Sequence, residues 1–141
     1  MIVQKSKAPL SLMEQVVMIL VFAFAAALCV QAFVLADTMS QEAYERDKAA
    51  IISQAMAETV KSQKGDMEKV CEILNGHEIS EGVILYYDRE WKPCAEEGSV
   101  YLVELKIIEK GTFLTKAEIV AKAVKEKKLI FKLLVNWQNT V

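Results

Sequence analysis

The sequence has little of what most catalytic and metal sites are built from. Its 141 residues include one histidine, three cysteines and five glycines, and the glycines are scattered singly. The sequence contains no phosphate-binding loop, no zinc-protease motif around His77 and no Cys-x-x-C pair, so these sites are not predicted. Because no catalytic constellation converges either, we predict neither an enzyme nor a cofactor nor a metal site.

An excess of positive charge is also missing. Lys and Arg number 17 against 19 Asp and Glu, which gives a formal net charge of −2. Nucleic-acid binding proteins present a basic footprint, so a nucleic-acid partner is not predicted. No small-molecule substrate is evident, because Tyr86, Tyr87, Trp91 and Trp137 stand at strand positions, where aromatic residues more often pack in a core than bind a ligand.

What the sequence does have is one long apolar run. Val16 to Ala36 spans 21 residues without a charge, and Gln31 is its only strongly polar member. A helix of this length is about 30 Å long, which matches the hydrocarbon core of a bilayer. We therefore predict a short basic leader and membrane-entry segment over 1–15, a transmembrane helix over 16–36 and an extracytoplasmic α+β domain over 37–141.

The charges that flank the apolar run predict its orientation. Lys5 and Lys7 precede the run, whereas Asp37 and Glu42 lead the charges that follow it. Because positive charge is retained on the cytoplasmic side, we expect a single-pass protein of the cell membrane with a cytoplasmic N-terminus. A cleavable secretory signal is the alternative, since Val34–Ala36 resembles a cleavage site, although the run is longer than a signal peptide requires.

The helix is predicted to continue beyond the apolar run. Residues 37–63 contain neither proline nor glycine and are rich in good helix formers, and Gly65 is expected to end the helix. Apolar residues recur there with helical period and predict one packing face, formed by Ala49, Ala50, Ile52, Met56, Ala57 and Val60. Asp66 is the predicted N-cap of a short second helix over 67–74, which Asn75-Gly76 closes.

After residue 82 the pattern changes to that of β-strands. β-Branched, aromatic and alternating apolar residues predict strands over 83–87 and 100–108, and strict alternation predicts a third over 129–137. Residues 115–127 fit either a capped helix or a strand. We favour the strand, because 129–137 needs a neighbour to pair with. The predicted fold is α+β, with the amphipathic helix packed on an antiparallel sheet of about four strands.

Two of the three cysteines lie beyond the apolar run and are candidates for a disulfide. Cys71 and Cys94 could pair if the compartment of their domain is oxidising, whereas Cys29 lies inside the run. The alternative is two separate, partly buried thiols. The sequence leaves both possibilities open.

The layout of apolar helix, amphipathic continuation and sheet resembles that of type IV pilins and of type II secretion pseudopilins. The motif that carries the resemblance stands directly before the apolar run and reads Leu10-Ser11-Leu12-Met13-Glu14, which is similar to the family's Phe-Thr-Leu-Ile-Glu. A short basic leader, Met1 to Pro9, precedes it. The resemblance implies a filament subunit whose partners are the lipid bilayer and other pilin-like subunits, contacted through the N-terminal helix.

The resemblance also implies a processing site and an assembly residue. The corresponding cleavage would fall between Pro9 and Leu10, and Glu14 would then meet the amino terminus of a neighbouring subunit. The sequence departs from the family in having Pro9 in place of the leader glycine, Leu10 in place of phenylalanine and no proline within the apolar run. Without cleavage Leu10 offers no free amine. Glu14 is alternatively an acid at the membrane interface, in contact with water.

Two functions are therefore expected from the sequence. The first is a non-enzymatic, pilin-like minor subunit of a type IV pilus or type II secretion filament. Its helix would pack closely through small residues, namely Ala23, Ala25, Ala26, Ala27 and Ala32. The second is a single-pass membrane anchor that carries an extracytoplasmic binding module and is not assembled into filaments.

Overall fold

Residues 7–139 are described by a computed structural model, and they form two α-helices and five β-strands. In chain order these are α1 (Ala8–Ser62), α2 (Met67–Leu74), β1 (His77–Ile79), β2 (Gly82–Tyr87), β3 (Tyr101–Lys110), β4 (Leu114–Ala123) and β5 (Leu129–Gln138). The α+β class is the predicted one. The chain divides into two compact units, Met1–Glu42 and Ala43–Val141.

The first element, α1, is one uninterrupted helix of 55 residues. Pro9 lies in its first turn, where the backbone N–H groups have no partner inside the helix and a missing donor costs nothing. The predicted end is confirmed: Gly65 follows the last turn with a φ of 80°, and its N–H donates to the Val60 carbonyl over 3.0 Å. Glycine adopts this left-handed conformation without steric cost.

The second helix, α2, has the predicted bounds and the predicted caps. The Asp66 carboxylate accepts a hydrogen bond from the Lys69 backbone N–H over 3.4 Å. At the other end Asn75 has a φ of 51°, and the N–H of Gly76 donates to the Cys71 carbonyl over 3.0 Å. Both helix ends are thus determined by local side-chain and backbone chemistry.

The five strands form one antiparallel sheet in the order β1-β2-β3-β4-β5, so every strand pairs with the next one along the chain. The prediction of about four strands is wrong by one. The strand that was missed is β1, in which His77 pairs with Ile84 and Ile79 with Gly82. Three residues are too few to show an alternating pattern, and β1 exists because the edge of β2 supplies hydrogen-bond partners.

The ambiguous segment after residue 114 is a strand, as favoured. β4 pairs on both sides, and Ile119 lies opposite Leu105 of β3 and opposite Leu133 of β5. A helix at this place would leave β5 without a neighbouring strand and β3 with one side unpaired, so the sheet overrides the local capping signal. β4 ends at Ala123, four residues before the end of the predicted segment, and the turn into β5 covers residues 124–126.

The hydrophobic core lies between the inner face of the sheet and the helical residues of the second unit. Val83, Leu105 and Ile119 stand in one row across three strands and are fully buried. The predicted helical face is confirmed, since α1 buries Ala49, Met56, Ala57 and Val60, together with Ser53, which the apolar pattern did not include. Ala50 and Ile52 are half-buried beside them.

Candidate functional site

The most distinctive surface of the chain is the apolar part of α1. Every residue over 8–42 is exposed, and large apolar side chains stand fully open, with Phe22 77% and Phe33 76% accessible. Burial of one such side chain stabilises a protein by about 1.5–3 kcal/mol, so this surface is suited to lipid or to other apolar helices rather than to water. Among the described residues α1 is the one helix long and apolar enough to cross a membrane.

Within the apolar run of this surface Gln31 is the one strongly polar residue. No charge stands between Glu14 and Asp37. Beyond the apolar run, the Thr38 hydroxyl donates to the Val34 carbonyl over 2.9 Å. The hydroxyl is therefore satisfied within the helix, as a polar side chain near lipid must be.

The six residues of the predicted assembly and processing motif lie within the first two turns of α1 and are exposed; they are Pro9, Leu10, Ser11, Leu12, Met13 and Glu14. The Ser11 N–H donates to the Lys7 carbonyl over 3.1 Å, which places the Pro9–Leu10 bond inside the first helical turn. Residues 1–6 of the predicted leader, with Lys5, lie outside the described residues.

Glu14 stands on an apolar side of the helix. It lines a shallow groove with its neighbour Met13 and with residues one and two turns away, which are Lys7, Leu10, Ser11, Val17 and Met18. Among residues 7–139 its carboxylate forms no ion pair and accepts no hydrogen bond from a side chain. Such a carboxylate on a lipid-facing surface is stable only at the water interface or against a positively charged group from outside the chain.

The cysteines of the structure are free thiols. The Cys71 thiol donates to the Gly76 carbonyl over 2.9 Å, at the end of α2. Burial raises the pKa of the Cys71 thiol and Glu78 adds to the rise, while burial and the charge of Asp88 raise the pKa of Cys94. The structure thus has the two separate thiols of the second alternative, and the disulfide between them stays a prediction.

The aromatic residues weighed as a binding surface belong mostly to the core. Trp91 stacks on Tyr101 with ring centroids 4.0 Å apart and planes 9° apart, and both rings are buried. The Tyr101 hydroxyl donates to Glu45 Oε1 of α1 over 2.8 Å, a contact between residues 56 apart in sequence. Trp137 is buried at the other end of the sheet, whereas Tyr86 and Tyr87 are half-buried.

Two clefts of about 410 and 460 Å³ lie beside α2 and share Met67, Glu78, Ile107 and Lys110 in their linings. Their volumes fall in the range of ligand sites, but such sites are mostly apolar, whereas these are lined largely by charged and polar groups. No local sequence pattern predicts these clefts, because their lining residues come from several separate elements. Among residues 7–139 no group of His, Cys, Asp or Glu is placed to hold a metal ion.

Comparison with known proteins adds no family assignment. No protein-family model matches the chain, and no significant match is found among curated proteins or solved structures. The argument for a function therefore depends on the exposed helix, on its continuation into the second unit and on the motif at its start.

Proposed function

We propose that the chain is a non-enzymatic, pilin-like or pseudopilin-like membrane protein that serves as a minor subunit of a type IV pilus or type II secretion filament. In this proposal residues 16–36 cross the cell membrane once, with the N-terminus in the cytoplasm and residues 37–141 outside. The observation that carries the proposal is the continuity of α1, which is apolar and exposed over 16–36 and then buries one face against an antiparallel sheet.

The apolar surface suits the two environments that such a subunit occupies in turn. In lipid the helix satisfies its own backbone hydrogen bonds, so no polar group of the backbone is left without a partner. In a filament, neighbouring helices replace the lipid, and small side chains permit close approach of the backbones. Five alanines between residues 23 and 32 provide such places along the run.

Glu14 supports an assembly function more directly. Its carboxylate lies in a groove of mostly apolar side chains, which Lys7 and Ser11 line at one end, and a carboxylate there requires either water or a positive charge. Processing between Pro9 and Leu10 would give each subunit a free amine at Leu10, which Glu14 of a neighbouring subunit would meet. The motif residues and the resemblance they carry are the support for this role.

The first experiment tests membrane integration of the full chain. Membranes from cells that express it are washed with alkaline carbonate, which removes peripheral proteins, and we expect the chain to stay in the pellet until detergent is added. Recovery of the unprocessed full-length chain from detergent-free buffer as a compact monomer would contradict a membrane-spanning helix.

The second experiment determines the mature N-terminus by mass spectrometry of the detergent-extracted protein. A start at Leu10 supports the subunit proposal, because it creates the amine that Glu14 requires. A start at Asp37 would make the chain a secreted protein, and an intact leader would argue against filament assembly.

Incorporation into filaments is the third test and uses Glu14. Glu14→Gln keeps the size of the side chain and removes its charge, and we expect the variant to be lost from sheared or cross-linked assemblies while it stays in the membrane. Gln15→Glu is the matched control, because it adds a charge at the adjacent position without removing the carboxylate of Glu14.

A membrane-anchored binding module is the second candidate, in which the two polar clefts beside α2 would take a charged or polar ligand. Replacing residues 16–36 by an unrelated apolar helix of the same length separates the two functions. A tether tolerates the exchange, whereas a subunit that packs through this helix loses incorporation. A chain that stays in the membrane and is absent from filaments both before and after the exchange would favour the binding module.

A further inference from the structure

The last strand of the sheet has one side free. Among the described residues β5 pairs only with β4, it is ten residues long, and it contains no proline and a single charge, Lys132. Proteins commonly protect long edge strands with charges, proline or bulges. The opposite edge of the sheet, β1, is only three residues long and is thereby protected.

The register of β4 and β5 determines which backbone groups of β5 are free. The Asn139 N–H donates to the Phe113 carbonyl over 2.9 Å, and Val135 and Leu133 lie opposite Ala117 and Ile119 in the same register. By the alternation of an antiparallel ladder, the odd-numbered residues over 133–139 therefore direct their N–H and C=O groups towards β4.

The even-numbered residues of β5 direct their backbone groups to the open side. They are Lys132, Leu134, Asn136 and Gln138, and among residues 7–139 none of their N–H or C=O groups has a hydrogen-bond partner. The irregularity in the register lies earlier, near Ala121 and Lys122 of β4, so the open side is regular from Lys132 onwards. Such a row of free donors and acceptors is a template for another strand.

We propose that β5 pairs in antiparallel orientation with β5 of a second copy of this chain, so that one continuous sheet crosses a two-fold axis. The pairing is centred on Leu134, which lies opposite Leu134 of the second copy. Lys132 then lies opposite Asn136 of the second copy, and Asn136 opposite its Lys132. Three residue pairs exchange two backbone hydrogen bonds each, because all of them belong to the open side.

The side chains select both the partner and this register. Leu134 is 65% exposed and meets an identical apolar side chain on the outer face. On the inner face Leu133 lies opposite Val135 of the second copy and Phe131 opposite its Trp137, so the apolar layer of one sheet continues into the other. The half-buried Phe131 and Leu133 would be covered by this contact.

Neighbouring registers are less favourable. Centring the pair on Lys132 places two lysines directly opposite each other, which is destabilising across a strand pair. Centring it on Leu133 places the Lys132 ammonium against Leu134 of the second copy. The register centred on Leu134 is the one in which the only charge of the strand faces an amide and the exposed leucine faces a leucine.

Cysteine cross-linking of the full chain in detergent micelles tests the register. Cα atoms of a hydrogen-bonded antiparallel pair are about 5.5 Å apart, within the range of a disulfide, so we expect Leu134→Cys to form a covalent dimer under mild oxidation. Lys132→Cys alone and Asn136→Cys alone should form no more covalent dimer than the wild-type chain does. A mixture of these two variants should give a cross-linked heterodimer, with the bond located by peptide mass.

A proline substitution tests the backbone pairing. Asn136→Pro removes an N–H from the open side without touching the bonds to β4, and edge strands tolerate proline there. Two of the six bonds of the dimer are lost, and we expect dimerisation to weaken about thirtyfold, measured by analytical ultracentrifugation in micelles. Asn136→Ala is the matched control and should dimerise like the wild type.

The two experiments separate this strand pairing from helix packing in a filament. A dimer that persists unchanged in Asn136→Pro is held by α1 and overturns the strand pairing without affecting the subunit proposal. Leu134→Cys chains that stay at the wild-type background, or a wild-type chain that is monomeric at all concentrations, overturn it as well. Circular dichroism of both Asn136 variants should match the wild type, which shows that the sheet is intact.

Discussion

At the scale of single residues, Tyr101 connects the sheet to α1 by one partly buried hydrogen bond. Its hydroxyl donates to Glu45, and its ring is packed against Trp91. We expect Tyr101→Phe to lower the free energy of unfolding by about 1.5 kcal/mol, because hydrogen bonds to charged groups are worth about 1.5–3 kcal/mol. Denaturant unfolding of the micelle-bound chain, followed by near-UV circular dichroism, measures the change.

The control for this prediction is Tyr44→Phe. Tyr44 is exposed on the same helix, so its hydroxyl contacts water, and the substitution should change the free energy of unfolding by less than about 0.5 kcal/mol. Equal effects of the two substitutions would show that the bond between Tyr101 and Glu45 contributes nothing.

The same hydroxyl predicts a loss of stability at alkaline pH. Burial, together with the hydrogen bond and charge of Glu45, raises the pKa of Tyr101 to about 12, whereas an unfolded tyrosine has a pKa of about 10. The folded chain therefore holds this proton more tightly than the unfolded chain. The stability that the protonated hydroxyl contributes is complete below pH 10 and is lost as the pH rises through 12. Unfolding midpoints measured across this range should fall more steeply for the wild type than for Tyr101→Phe. Parallel curves would contradict the assignment.

At the scale of the elements, the turn between α1 and α2 depends on one glycine. Gly65 has a φ of 80°, and a Cβ atom at this position would collide with the Trp137 indole. We expect Gly65→Ala to destabilise the fold by about 3 kcal/mol. This figure adds the free-energy cost of the left-handed conformation for alanine to the cost of overpacking against the indole. Gly98→Ala, where a Cβ atom meets nothing within 4 Å, is the control and should be nearly neutral in the same denaturant unfolding assay. Similar losses in both variants would refute the steric argument.

The amphipathic half of α1 predicts a matched pair of substitutions on opposite faces. Met56 is fully buried and Ile51 is 62% exposed on the same helix. Met56→Ala should lower the free energy of unfolding by about 3 kcal/mol, because it removes buried surface and leaves a cavity. Ile51→Ala should cost less than about 0.5 kcal/mol. A larger effect at Ile51 would mean that the other face of the helix carries the packing.

How far the elements can be predicted from the sequence depends on whether their signals are local. The caps at Asp66 and Asn75 and the glycine at residue 65 lie next to the boundaries they determine, so the end of α1 and both ends of α2 are predicted correctly, whereas α1 begins at Ala8, eight residues before the predicted transmembrane segment. β4 was ambiguous, because its helical and strand patterns are equally good locally and only its two neighbours decide between them. β1 was missed because its pairing with β2, and not its own pattern, makes it a strand.

The candidate site also has a part that local sequence patterns predict and a part that they do not. The apolar run and the motif from Pro9 to Glu14 are continuous in sequence and were found from it. No spacing pattern in the sequence predicts the contact between Glu45 and Tyr101 or the clefts beside α2. Both join residues that are distant in sequence. What occupies the exposed part of α1 lies outside the chain itself, so the sequence suggests it only through resemblance.

At the scale of the whole molecule, the apolar run makes a prediction about membrane insertion. Ala26 lies near its middle, and Ala26→Arg should make insertion less favourable by about 2.5–3.5 kcal/mol. Ser40→Arg, beyond the run, should have little effect. The inserted fraction, measured by carbonate extraction, is expected to fall for the first variant only. An inserted fraction that is unchanged in Ala26→Arg would place the membrane-spanning segment elsewhere.

The strand order β1-β2-β3-β4-β5 has a consequence for how the sheet is made. Each strand pairs with the one that precedes it, so ladders form over short loops and the entropy of loop closure stays small. A polypeptide that emerges N-terminus first can add its strands one by one, and no strand has to wait for a distant partner. The fifth strand brings Trp137 onto Gly65, so the core is closed only after all five strands of the sheet have been added.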